Sequence, residues 1–193
     1  KILLMAKESD NQSDILTAIK QVINNCCVDS NFDISKHTIF DLEYIFIKLR
    51  SSSIDNVLKV SYKDYEDEKS YEFDINLDDI KIVKPEKSNN VIKISNKSGI
   101  TLKYPSASLY DDKEFLSIEK DHLFELIIRC VDNIFYEDNI YQSSDYSNKE
   151  LEEFIESLSL KTFEEIQKFL LNAPKLEYVI NYKNSLGRDR KIV

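Results

Sequence analysis

Glycine is almost missing from this chain of 193 residues, which has only Gly99 and Gly187. That scarcity excludes the G-x-G-x-x-G and G-x-x-x-x-G-K-[ST] loops, whose glycines let backbone amides close around phosphates. Histidine is equally scarce. His37 and His122 have no cysteine or carboxylate at ligand spacing beyond what an acidic chain supplies by chance. His122 follows Asp121 at a helix start and His37 lies beside the start of another, so both read as ordinary helix-terminal residues. A calcium loop needs alternating oxygens, a central glycine and a closing glutamate; Asp74 to Asp79 lacks the last two. Carboxylate pairs such as Asp78-Asp79 and Glu152-Glu153 read as solvated faces in so acidic a chain. No metal, cofactor or small-molecule substrate is expected.

Other shortages narrow the class further. Cys26, Cys27 and Cys130 are odd in number, and the two neighbours are badly placed to pair with each other. They read as reduced thiols serving as small core residues, as in a chain with a cytosolic history. There is no apolar run of about eighteen residues and no basic-then-apolar leader, so neither a membrane span nor secretion is indicated. Arginine occurs four times, at Arg50, Arg129, Arg188 and Arg190, and the net charge is −9. The charge runs are acidic: Asp64 to Glu68 apart from Tyr65, Asp111-Asp112, and Glu150 to Glu156. A duplex-binding surface needs clustered cations to displace counterions, so nucleic acid is not an expected partner. The chain opens on Lys1 instead of a methionine and its final strand pattern stops at Val193, so further residues are expected at both ends of the native protein.

What the chain does have is apolar helix surface. Ile39 to Arg50 is a helix-length block that is apolar on nearly every side. Ile39, Leu42, Phe46 and Leu49 line one face, and Phe40, Tyr44 and Ile47 line a second face about a hundred degrees away. Such a helix needs apolar neighbours on two sides. The expected arrangement puts Phe46 and Leu49 in the domain's own core and leaves Phe40, Tyr44 and Ile47 as candidate partner-binding residues. Eleven tyrosines and ten phenylalanines, with no tryptophan, supply more aromatic surface than a core requires. Tyr178 and Tyr182 of the C-terminal hairpin join the candidate contact residues on that ground.

Periodicity gives an α+β fold in three regions that read as one compact unit. Residues 1–53 form a helical N-terminal region, with Ser13 capping a helix whose inward face is Ile15, Ala18, Ile19, Val22, Ile23 and Cys26. Ile2 to Met5 ahead of it fits a strand or a docking arm. Residues 54–105 change to period two and read as a small antiparallel β meander of five strands, at 57–62, 71–75, 80–83, 91–94 and 100–104. Residues 106–193 are helical again from about Ser117 to Asn172. One stripe there runs from Leu123 through Val131 to Phe135, and a linker lies near 138–146. Ala173-Pro174 stops the helices. A strand at 176–182 and a turn at Asn184 to Gly187 then give a terminal β-hairpin.

Three stretches carry a family likeness: Ile2-Leu3-Leu4-Met5-Ala6-Lys7-Glu8-Ser9, the helix from Asp14 to Cys26, and Phe40-Asp41-Leu42-Glu43-Tyr44-Ile45-Phe46-Ile47-Lys48-Leu49-Arg50. Together with Tyr182 to Ile192 they resemble the baseplate hub protein family of T-even-type contractile-tailed bacteriophages. The likeness is concentrated in residues 2–54 and 174–193, and it contains no catalytic signature to carry over. It implies a non-enzymatic structural or assembly protein of the tail baseplate hub, whose partners are other phage baseplate hub and tail proteins. Its location would be the virion tail, and the host cytoplasm during assembly. The alternatives are an assembly chaperone absent from the mature virion, a carboxylate-based hydrolase, and an intracellular adaptor unrelated to phage.

Overall fold

The computed structural model describes residues 12–53, 55–85, 89–118 and 121–193. In chain order the elements are α1 (Gln12–Cys26), α2 (Ile39–Ser53), β1 (Val57–Lys63), β2 (Ser70–Asn76), β3 (Lys81–Val83), β4 (Val91–Lys93) and β5 (Ser98–Leu102). There follow α3 (Lys113–Leu116), α4 (His122–Cys130), β6 (Val131–Tyr136), β7 (Asn139–Gln142), α5 (Asn148–Glu156) and α6 (Leu160–Leu171). The chain closes with β8 (Lys175–Glu177), β9 (Ile180–Lys183) and β10 (Asp189–Ile192). The α+β class, the antiparallel strands and the terminal hairpin are as the periodicity indicates. Two compact units share these elements: the chain up to Phe32 with Phe40–Val83 and Pro174–Val193, and Asp33–Ile39 with Lys84–Ala173.

In the first unit β1 and β2 form a regular hairpin in which every second residue is half-buried. Leu58 lies opposite Ile75, Val60 opposite Phe73 and Tyr62 opposite Tyr71, so apolar and aromatic pairs share one face of the ribbon. Asp78 fastens α2 to the chain leaving the ribbon: its carboxylate accepts from Ser51 Oγ at 2.8 Å and from Asn56 Nδ2 at 3.2 Å. Lys48 Nζ adds bonds to the carbonyls of Leu77 and Asp78 at 3.2 and 2.8 Å. The hydrogen bond from Ser51, then that from Asn56, holds the Asp78 carboxyl below its ordinary range. A far-off segment completes the unit: β3 pairs with β8, and β9 with β10.

The second unit is a four-stranded antiparallel sheet of order β4-β5-β6-β7. Its core joins Ile92, Ile100, Leu102 and Val131 of the sheet side to Ile127 and Ile128 of α4, Leu151 and Ile155 of α5, and Ile166 and Phe169 of α6. Local sequence sets the helix starts. Ser147 and Glu150 form a reciprocal capping box for α5, and Ser159 accepts from the Thr162 amide to open α6. Tyr104 stacks on Phe169 with ring centroids 4.5 Å apart. Arg129 pairs with Glu125 and Asp112 and lies over the Phe115 ring at 5.2 Å.

Several expectations change in detail. The five strands between 57 and 104 exist but do not form one meander; they are shared among the β1-β2 ribbon, the β3-β8 pair and the four-stranded sheet. The stripe from Leu123 to Phe135 is not one helix. It is α4 as far as Cys130, then β6 from Val131, whose backbone turns extended at φ −67°, ψ 122°. β-branched Val131 and Ile134 suit a strand, and antiparallel pairing with β5 outweighs helical periodicity there. The stretch near 138–146 contains β7, and the strand expected over 176–182 is divided between β8 and β9. Phe46 and Leu49 are only half-buried, and Leu42 alone on α2 is fully buried. Apolar side chains encircle this helix, so burial is spread around it instead of concentrated on one stripe. On α1, Ala18 and Ile23 are buried but Ile15 and Cys26 are exposed. Ile2 to Met5 lies outside the described residues.

Candidate functional site

The five residues expected to touch a partner fall in three places. Phe40, Tyr44 and Ile47 are half-buried on α2, where the Lys48 ammonium lies 5.4 Å from the centre of the Tyr44 ring. Tyr178 is half-buried between β8 and β9. Tyr182 lies in β9, where its ring contacts Tyr71, Phe73 and Tyr62 with centroids 5.0, 5.1 and 6.4 Å away. Of the five, Tyr182 alone belongs to a dense polar network.

That network joins two turns that lie far apart in sequence. The acidic run after β1 makes the first turn: the Glu66 amide donates to Asp64 Oδ1 at 2.8 Å, the Lys69 amide to Asp67 Oδ1 at 3.0 Å, and Glu68 takes a left-handed φ of 57°. Asn184 builds the second turn, accepting from the Leu186 and Arg188 amides at 3.1 and 3.0 Å, with Gly187 at φ 76°. Across the gap the Tyr182 hydroxyl donates to Asp64 Oδ2 at 2.6 Å, and Arg190 Nε lies 3.2 Å from the same oxygen. Glu66 receives Arg188, Arg190 at 3.3 Å and the Asn184 amide group at 3.0 Å. Asp67 Oδ2 accepts from the Tyr71 hydroxyl at 2.5 Å and from the Ser185 amide and hydroxyl at 2.9 and 2.8 Å.

Sequence reading missed this clamp, because it treated Asp64 to Glu68 only as a run of negative charge. The available signal was charge complementarity: two of the chain's four arginines, Arg188 and Arg190, stand in the terminal hairpin. Asp64 is fully inaccessible, and burying a carboxylate is tolerable only when it is paired and hydrogen-bonded. The Tyr182 hydrogen bond, followed by the Glu66 amide, holds the Asp64 carboxyl below its usual range. Burial pushes Asp67 up, but the combined bonds from Tyr71, Lys69 and Ser185 outweigh it and leave that carboxyl far below normal. Burial and the bond to Asp64 push the Tyr182 phenol up to about 12. The bond to Asp67, then burial, raises Tyr71.

Both aspartates are therefore fixed as anions and neither is poised to donate a proton near neutral pH. Among the described residues no group of three or more His, Cys, Asp and Glu side chains is arranged to hold a metal ion, and no helix is long and apolar enough to cross a membrane. Of the three free thiols, Cys130 is buried, with its pKa pushed up to about 12 by desolvation, Cys27 is half-buried and Cys26 is exposed. Cys26 thus departs from its expected place in the core: it ends α1 beyond the stretch that Ala18 and Ile23 anchor.

A family model described as T4 bacteriophage base plate protein matches residues 1–193. No curated protein and no solved structure matches the chain.

Proposed function

The chain belongs to the T4 bacteriophage base plate protein family, and from that membership we propose a non-enzymatic part in the baseplate hub, exercised through contacts with other hub and tail proteins. The observation that carries the reading is the match over the whole chain, which covers both compact units. A structural or assembly role in the phage baseplate follows from the family itself. The hub assignment draws in addition on the likeness of residues 2–54 and 174–193 to hub proteins. The non-enzymatic reading is supported by how the convergent carboxylates are used: Asp64 and Asp67 spend their lone pairs on Tyr182, Tyr71, Ser185 and backbone amides, which leaves them structural.

The test is mass spectrometry of hub intermediates and of finished tails from the same infection, combined with cross-linking of the intact chain. The protein is expected in hub intermediates, with cross-links to hub proteins. Its presence in finished tails marks a structural subunit, and its absence from them marks an assembly chaperone. Cross-links confined to baseplate proteins outside the hub would overturn the hub assignment.

A further inference from the structure

β7 (Asn139–Gln142) is the outer strand of the four-stranded sheet, and all four of its residues are exposed. In antiparallel pairing every second residue turns its N–H and C=O away from the existing partner. Among the described residues nothing pairs with that outer side of β7. Proteins usually blunt such an edge with a charged residue, a proline or a bulge. β7 is short, at four residues, but has none of these: Asn139, Ile140, Tyr141 and Gln142 are uncharged and hold an unbroken register with β6.

An unfilled groove lies against β6, the strand next to this edge. Tyr141 lies opposite Ile134, on the sheet face that packs on the core. α5 and α6 do not cover that face completely, and a groove of about 360 Å³ runs past Ile134, Tyr136, Phe154 and Leu158. Tyr136 is 53% exposed, Ile140 66% and Tyr141 40%, although each stands in a paired strand. The surroundings are negative. Glu137 and Asp138 form the turn before β7 and Asp145 follows it; Glu137 pairs with Lys97, whereas Asp138 and Asp145 have no cationic partner among the described residues.

We propose that β7 accepts an extended segment of another baseplate protein as a fifth strand, with apolar side chains at alternate positions and lysine or arginine at its ends. Backbone pairing supplies the affinity, and the exposed Ile140 and Tyr141 side chains select apolar side chains on the incoming strand. The acidic turns select the basic ends. A second copy of this chain is a poor occupant, because two bodies of net charge −9 would meet at their acidic turns. The inference rests on the baseplate reading and supplies the chemistry of one partner.

The probe is a synthetic peptide, Lys-Lys-Val-Thr-Val-Thr-Val-Lys-Lys, titrated into the isotope-labelled full chain, with a second peptide carrying glutamate in place of every lysine. The basic peptide should slow hydrogen exchange at alternate β7 amides and shift the Tyr141 resonances. The acidic peptide, and the Ile140→Lys and Tyr141→Ser variants with the basic peptide, should bind at least about tenfold more weakly. No binding of the basic peptide, equal binding of both peptides, or unchanged binding by both variants overturns the proposal. So does self-association of the wild type that Ile140→Lys abolishes, which would make a second copy the occupant. Baseplate incorporation separates the two levels of inference: if wild type and Ile140→Lys enter hub intermediates alike, the β7 inference fails and the baseplate reading stands. If wild type enters none, the reading beneath both fails.

Discussion

Replacing Gly99 by alanine should destabilise the second unit, although the same change usually stabilises a protein. Gly99 does not have a left-handed backbone, so alanine could adopt its conformation, and the stiffer unfolded chain alone would contribute about 0.4–1 kcal/mol in favour of folding. Packing opposes this. A Cβ on Gly99 would overlap Phe135 Cζ and lie 2.6 Å from the Ile92 carbonyl oxygen, against the roughly 3.5–4.0 Å that carbon contacts prefer. Phe135 is half-buried and lies directly opposite Gly99, so its ring would have to turn aside. The Ile92 oxygen is backbone and cannot rotate away: it belongs to β4, which pairs with β5 on the other side of Gly99. Overpacking of this kind costs about 1–3 kcal/mol, and the middle of that range less the middle of the chain-stiffness gain leaves a net loss of about 1.3 kcal/mol. A unit of roughly a hundred residues would then melt about 5–10 °C lower. Urea and thermal unfolding of the full chain, followed by amide signals of the four-stranded sheet, measure this directly. Phe135→Leu in the Gly99→Ala background should recover only part of the loss, since the carbonyl contact remains. A variant within about 0.5 kcal/mol of wild type, or more stable than it, would refute the packing argument.

Other consequences are equally direct. Asp64 and Asp67 have lowered carboxyl pKa values, so their contribution to stability is complete above about pH 4 and disappears as pH falls through their lower folded values. Tyr182 behaves in the opposite sense: with its phenol raised from 10.0 to about 12, its contribution is complete below pH 10 and lost as pH rises through 12. Tyr182→Phe should shift acid unfolding of the first unit to higher pH and remove that alkaline loss, and pH titrations that superimpose on wild type would contradict both. Leu42→Ala should cost about 2–4 kcal/mol in urea unfolding, and Ile47→Ala less than half as much, because Leu42 alone on α2 is fully buried. A thiol reagent should modify Cys26 first and Cys130 only on unfolding; early modification of Cys130 would show that the second core opens locally.

Alternation was enough to locate most strands but could not choose their partners. Ile82 shows the same period-two pattern as Ile92, yet Ile82 pairs with Leu176 and Ile92 with Ile100. That choice depends on contacts distant in sequence, which local pattern does not encode. The α4–β6 junction was hidden for a different reason: no glycine or proline separates Cys130 from Val131, and a continuous apolar run fits a buried helix or a buried strand equally well. α5 and α6 were legible because serine caps and amphipathic stripes agree. Of the candidate contact residues, Tyr182 was visible as surplus aromatic surface, but its bond to Asp64 was not. The charges of the clamp were evident in the sequence, whereas their convergence required the folded β1-β2 ribbon.

The two turns of the clamp also impose an order on biosynthesis. Asp64 and its partner Tyr182 are 118 positions apart, so the ribosome makes the acidic turn long before the strand that neutralises it. Residues 84–173 of the second unit are translated in the interval. Until then Asp64, Glu66 and Asp67 lack Arg188 and Arg190, and carboxylates without such partners stay in water. The β9–β10 hairpin therefore closes a unit whose α1 was made long before it, and a released chain truncated after Ala173 would contain the residues of the second unit but lack the hairpin that neutralises the acidic turn.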